Sequence, residues 1–272
     1  MIKLVALDLD GTLLSSFGLL SPFAAQTLRD LRKKGIIVAI SSGRPFYSVQ
    51  NIIPDDCYDY ASCMNGQDIY ICSSGKHIVK PDLSEEEKKH LVSYLKKYRM
   101  LMNCAYDNTG HYLADEKHRS FVNLFSFMNA LRHKLSRQKY YHQDADYDLT
   151  VIENKSIGKF CFCGYPATLR RFYHELDHDH YSCFFVNSSW LEIMHIGISK
   201  GKAVQEIMSL EHLHPEECAA FGDGENDIPM FEVCGTRVAM GNAMHSLKRH
   251  ATDIARSYYE DGCAKWMKNH LL

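Results

Sequence analysis

Apolar residues in this chain fall into short, mostly unbroken runs, separated by longer stretches where they recur every three or four positions. Residues 2–7 (IKLVAL), 36–40 (IIVAI), 217–221 (ECAAF) and 236–240 (TRVAM) read as strands buried on both faces. Between the first two, Ser21 is placed to cap a helix and Pro22 suits its first turn. Ala24, Leu28 and Leu31 then share one face before Gly35 stops it. "SSGRP" (41–45) turns the chain into a second helix that should end near Pro54. "YASCM" runs into Asn65-Gly66, a tight-turn signal, and "QDIYICSSGKHIVK" beyond it alternates as a hairpin does. Buried strands alternating with helices predict a parallel sheet covered on both faces.

The pattern changes near Pro81. Ser84 followed by Glu87 forms a capping-box signature, opening a helix with Leu91 and Leu95 on one face. From there to about Trp190, amphipathic helical stretches mix with alternating runs such as "MLMNCAYD" and "GKFCFCG", which predicts an inserted α+β domain. The expected boundaries are a core of 1–81 and 191–272 around an insertion of 82–190. The chain closes on a helix ending "AKWMKNHLL", and neither repeats nor low-complexity segments interrupt it.

Composition narrows the function classes. Of 272 residues 46% are hydrophobic and 24% charged, enough for a sizeable core. Lys plus Arg number 31 against 33 Asp plus Glu, a net charge of −2 that argues against nucleic acid or an anionic membrane as partner. No apolar stretch approaches the roughly 18 residues of a membrane span. The early aspartates interrupt any secretory signal. The ten cysteines are scattered without a C-x-x-C pair, and several lie in apolar runs. They read as buried thiols in a reducing cytoplasm.

Ligands of an open parallel sheet bind at the carboxyl ends of its strands. The first strand delivers Asp8 and Asp10, which start on one side of the chain because strand side chains alternate. Gly11 then allows a sharp turn. The second delivers Ser41, Ser42 and Gly43. "GISKGK" brings Lys200 and Lys202 ahead of a helix over 202–210, and "GDGENDIPM" brings Asp223, Glu225, Asn226 and Asp227. Carboxylates, a hydroxyl, backbone N–H groups and a lysine are a consistent set for handling phosphate with a hard divalent cation.

"DLDGTLL", "SSGR", "SKGKA" and "GDGENDIPM" resemble, in order, the four motifs of the haloacid dehalogenase superfamily. The hairpin after Asn65-Gly66, the insertion, "VAMGNA" (238–243) and "EDGCAKWM" resemble its Cof-type branch of sugar-phosphate phosphatases. The resemblance covers nearly the whole chain. Ser42 stands where the family often has threonine, which keeps the hydroxyl. The fold class implied is α/β, a Rossmann-like parallel-sheet core with an inserted α+β cap domain that closes over the site and holds the leaving group. The implied activity is Mg²⁺-dependent hydrolysis of small phosphorylated metabolites through an aspartyl-phosphate. Asp8 is the nucleophile in this reading, ionised at its reference pKa of about 3.9 and needing no activating base. Asp10 is the general acid and base. Asp8, Asp223 and the Asp10 carbonyl bind the metal, with Asp227 orienting the metal's water shell or Lys200. Lys200, Ser42, Gly43 and Asn226 bind phosphate. Arg44 and Asn65 are candidate substrate contacts, although Asn65-Gly66 is most simply a turn.

Other readings are weaker. An EF-hand loop starting at Asp8 would need glycine where Leu13 stands and glutamate where Leu19 stands. "HELDH" (174–178) matches H-E-x-x-H but sits among charged residues, as a solvated helix end would. "GISKGKA" is one residue short of a Walker loop, and "GDGEND" has Asp227 where a dinucleotide fingerprint needs glycine. Two alternatives remain open: a phosphomutase of the same chemistry, and a non-catalytic module that binds phosphorylated metabolites. The four intact motifs disfavour the second.

Overall fold

The computed structural model describes residues 1–98 and 155–272. Between them it describes the strands Met102–Tyr106, His111–Leu113 and Ala145–Asp146 and residues 119–120, 123–124, 127–128 and 131. The chain divides into two compact units, Met1–Lys80 with Ile198–Leu272, and Pro81–Gly197. The first unit begins with β1 (Leu4–Leu7), β2 (Ile37–Ser41), β3 (Tyr60–Cys63), β4 (Asp68–Ile71) and β5 (Lys76–Val79). The second holds β6 (Met102–Tyr106), β7 (His111–Leu113), β8 (Ala145–Asp146), β9 (Lys159–Cys163), β10 (Tyr181–Asn187) and β11 (Trp190–His195). The first then resumes with β12 (Cys218–Gly222), β13 (Thr236–Ala239) and β14 (Asp253–Ile254).

The sheet of the first unit runs β14-β13-β12-β1-β2-β3-β4-β5. Neighbours from β14 to β3 are parallel, and β4 and β5 add an antiparallel hairpin at one edge. This matches the sequence pattern, including the hairpin after Asn65-Gly66. All four residues of β1 are fully buried, as a central strand covered on both sides requires. Three helices supply much of the cover. Helix Pro22–Lys33 is capped by the Ser21 hydroxyl, which accepts the Ala24 N–H at 3.0 Å, and buries Ala24, Leu28 and Leu31. Helix Lys200–Leu210 buries Val204 and Ile207, and helix Gly262–Leu271 buries Cys263 and Met267. The helix after "SSGRP" is short: Phe46–Gln50 is helical, and a turn carries the chain on to Pro54.

In the second unit the strand order among the described residues is β10-β11-β9-β6-β7-β8. The helices Glu85–Tyr98 and Pro166–Glu175 contribute Leu91, Leu95 and Phe172 to a core shared with Phe160, Phe162, Leu191 and Ile193. The capping box forms. Ser84 donates its N–H to Glu87 Oε2 at 2.7 Å, and the Glu87 N–H returns to Ser84 Oγ at 3.2 Å. Of "MLMNCAYD", residues 100, 101 and 107 lie outside the described residues. The return to the first unit comes at Ile198 rather than at residue 191. The reason is pairing: Trp190–His195 lies between β10 and β9 and is bonded to both, so it belongs inside the second unit's sheet.

Candidate active site

Asp8 directly follows β1, and its N–H donates to the Phe221 carbonyl at 3.1 Å, extending the ladder with β12. Asp223 directly follows β12. Because Leu7 and Phe221 are register partners in adjacent parallel strands, the two aspartates emerge side by side. Gly11 makes this approach possible. Its φ is +82°, and a Cβ there would lie 2.2 Å from Asp223 Oδ2, so a side chain would collide with the carboxylate. Asp8, Asp223 and Asp227 each offer an oxygen within 4.8 Å of the others.

Lys200 lies among them. It is the first residue of the helix capped by Ser199, rather than standing ahead of a helix at 202. Its side chain is 1% exposed, and Nζ donates to Asp8 Oδ1 and to Asp227 Oδ1, both at 2.6 Å. The other oxygen of Asp227 accepts the N–H groups of Asp223 at 2.8 Å and Gly224 at 3.0 Å. Both oxygens of Asp227 are thus engaged by the protein, one aiming the lysine and one shaping the turn that presents Asp223. Gly222 is required for that wrap, since a Cβ would come within 2.5 Å of the Asp227 carboxylate.

The electrostatics differ from the sequence expectation at one point. Burial pushes Asp8 well above its ordinary value, Lys200 opposes this, and Asp227 and Asp223 add to the push. Asp8 is therefore not an ordinary ionised aspartate, because strands and helices from both ends of the chain strip its water. Burial also raises Asp223 to about 7, reinforced by the charge of Asp227. For Lys200 burial works against the ammonium, but Asp227 and Asp8 outweigh it and hold its pKa above the usual range. Three carboxylates thus face one ammonium group. An oxygen-only donor set short of positive charge fits a hard divalent cation such as Mg²⁺.

The remaining candidates form a linked group at the ends of β2 and β3. Ser42 is buried, and its hydroxyl accepts the Arg44 N–H at 3.2 Å. The Ser42 carbonyl accepts the Asn65 N–H at 2.9 Å. Gly43, half-buried, lies in the same turn. Asn65 turns the chain from β3 to β4 with φ +57°, yet it is fully buried, and its Oδ1 accepts from Asn226 Nδ2 at 3.3 Å. A turn residue and a site residue are here the same residue. Arg44 meets Asp10: Nε donates to Oδ2 and Nη2 to Oδ1, both at 2.6 Å.

Sequence reasoning missed Asn242. Its Nδ2 donates to the Gly11 carbonyl at 2.8 Å and to Asp223 Oδ2 at 3.2 Å. Its Oδ1 accepts from Ser257 Oγ and the Tyr258 N–H, both at 3.2 Å. The signal was its place just beyond β13, a parallel strand end like the others. The H-E-x-x-H match dissolves, because the helix ends at Glu175 and leaves His174 and His178 without a common helical face. His178 instead bonds the Tyr173 carbonyl at 2.9 Å.

Residues 5–267 match the family model of haloacid dehalogenase-like hydrolases. The chain is 26% identical over 273 residues to a 5-amino-6-(5-phospho-D-ribitylamino)uracil phosphatase of Bacillus subtilis (strain 168), covering 100% of this chain and 96% of that protein. It is 27% identical over 252 residues to the HMP-PP phosphatase of Klebsiella pneumoniae (strain 342), covering 91% of this chain and 87% of that protein. A haloacid dehalogenase-like hydrolase from B. subtilis has the same fold, with a TM-score of 0.82 at 23% identity and complete coverage of both chains. The family match takes in Asp8, Lys200 and the "GDGEND" turn alike, and the chain belongs to the haloacid dehalogenase-like hydrolases.

Proposed function

We propose that this hydrolase, a phosphatase of small phosphorylated molecules, acts with Mg²⁺ on metabolites of the sugar-phosphate class through an aspartyl-phosphate on Asp8. The observation that carries the reading is the Lys200 ammonium held 2.6 Å from both Asp8 and Asp227, beside Asp223. A buried lysine between carboxylates costs too much desolvation to be retained for stability alone. It makes sense where a further dianion must enter.

Mg²⁺, held by Asp8, Asp223 and the Asp10 carbonyl, would screen the incoming phosphate from the carboxylates and polarise the phosphoryl group. The chain's own residues do the rest. The Asp8 carboxylate attacks phosphorus in line with the leaving oxygen, the bond to that oxygen breaks, and Asp10 gives it a proton. Asp10 then takes a proton from water, which attacks the phosphorus and frees Asp8. Lys200 compensates charge on Asp8 through both halves, held in place by Asp227. Ser42, Gly43 and Asn226 offer donors to phosphoryl oxygens, and Asn65 braces Asn226. Nine of the ten cysteines are free thiols, and no helix among the described residues is long and apolar enough to cross a membrane. The free thiols support a cytoplasmic enzyme.

The test is phosphate release from a panel of phosphorylated metabolites, with Mg²⁺ and with chelator. Wild-type protein should require the cation, and Asp8→Asn should lose at least about a thousandfold in kcat. Turnover by Asp8→Asn near the wild-type rate would refute the nucleophile. Transfer of label to a second hydroxyl without phosphate release would favour the mutase.

A further inference from the structure

We propose that Arg44 and Ser48 are positioning residues for Asp10, an inference that rests on the acid–base role given to Asp10 above. All three guanidinium nitrogens are committed: Nε and Nη2 grip the two Asp10 oxygens at 2.6 Å, and Nη1 donates to Ser48 Oγ at 3.2 Å. The backbone beneath is fixed as well. The Arg44 N–H donates to Ser42 Oγ, and the Arg44 carbonyl accepts the Met64 N–H at 2.9 Å. Pro45 then opens the short helix that carries Ser48 at the i+4 position from Arg44.

The Asp10 side chain is 54% exposed. An ion pair at such an exposed site adds little to stability, so stability is a poor reason for a three-point clamp. Orientation is a better one. A two-pronged arginine fixes the plane of a carboxylate, which a lysine cannot do, and of the four lone-pair sites on the two oxygens it occupies two, leaving the others for the proton and the leaving oxygen. Asp10 lies beyond the end of β1 with extended backbone (φ −80°, ψ 115°), just before the turn at Gly11, so its side chain needs this external reference to meet the leaving oxygen. The clamp also ties the acid to the phosphate pocket, because Ser42 receives the Arg44 N–H from the same turn.

The experiment compares kcat/KM, which reports the first half-reaction, on β-glycerol phosphate and on p-nitrophenyl phosphate. The first leaves as an alkoxide and needs a proton; the second leaves as a stable phenolate. Arg44→Ala should lower kcat/KM about 10–100-fold on glycerol phosphate and less than about threefold on nitrophenyl phosphate. Arg44→Lys should resemble it, Ser48→Ala should show the same contrast at smaller size, and methylguanidinium should restore part of the loss in Arg44→Ala. In an Asp10→Asn background, Arg44→Ala should add almost nothing. Equal losses on both substrates, or full loss retained in the Asp10→Asn background, would overturn the proposal and make Arg44 a substrate contact. Should Arg44→Ala fail to fold, Ser48→Ala decides by the same contrast. Absence of an Asp8-linked phosphate in the wild-type enzyme would instead overturn the catalytic reading itself.

Discussion

In the absence of divalent cation the first unit should lose stability as pH rises, against the usual behaviour of a folded aspartate. Asp223 has its pKa raised from 3.8 to about 7 by burial and by Asp227. Between those values the folded chain keeps a proton that the unfolded chain has released. The stabilisation is therefore complete at low pH and is lost as pH climbs through 7. About three units at roughly 1.4 kcal/mol each give a ceiling of about 4 kcal/mol, and solvent at the half-buried carboxylate lowers this to about 2–3 kcal/mol. Urea denaturation followed by Trp266 fluorescence suits the test, because Trp266 packs on Phe221 of β12 with ring centroids 5.3 Å apart. In chelator, wild type measured against Asp223→Asn should lose about 1 kcal/mol between pH 5.5 and 7.5, the upper half of that window. Saturating Mg²⁺ should reverse the trend, since the ion takes the ionised carboxylate and its stabilisation grows with pH. A chelated wild type as stable at pH 7.5 as at 5.5, relative to Asp223→Asn, would refute the account.

Two further outcomes follow from the same cluster. Lys200→Met removes the cation from a buried Asp8–Lys200–Asp227 bridge, and thermal or urea melts without metal should show a loss of about 3–5 kcal/mol, smaller at low pH where the carboxyl groups are neutral. Asn242→Ala removes the donor shared by Asp223 and the Gly11 carbonyl, so calorimetric titration with Mg²⁺ should show about 10–100-fold weaker binding while the fold persists.

The sequence carried the architecture of the first unit because its signals are local. Continuous apolar runs, the Ser21 cap and the Asn-Gly turn each act within a few residues. The misplaced boundary at residue 191 has the opposite character. Trp190–His195 looks the same whether it pairs with β10 and β9 or begins a new domain, and only pairing decides. The site splits likewise. Asp8, Asp10, Lys200 and Asp223 stand at strand or helix ends that periodicity locates. Asn242 was passed over within "VAMGNA" because nothing local marks it: the Gly11 carbonyl and Asp223 that it bonds come from the ends of other strands. The partner of Arg44 and the raised pKa of Asp8 were hidden for another reason: both depend on what residues far away in sequence bring to the spot.

The strand order has a consequence for how the chemistry comes into being. β1 lies between β2 and β12, so the groups around Asp8 come from opposite ends of the polypeptide. A nascent chain stalled on the ribosome before Lys200 would own Asp8 but neither its lysine counterion nor Asp223. Catalysis would switch on only late in synthesis, when the last strands dock beside the first, and partial products would stay inert.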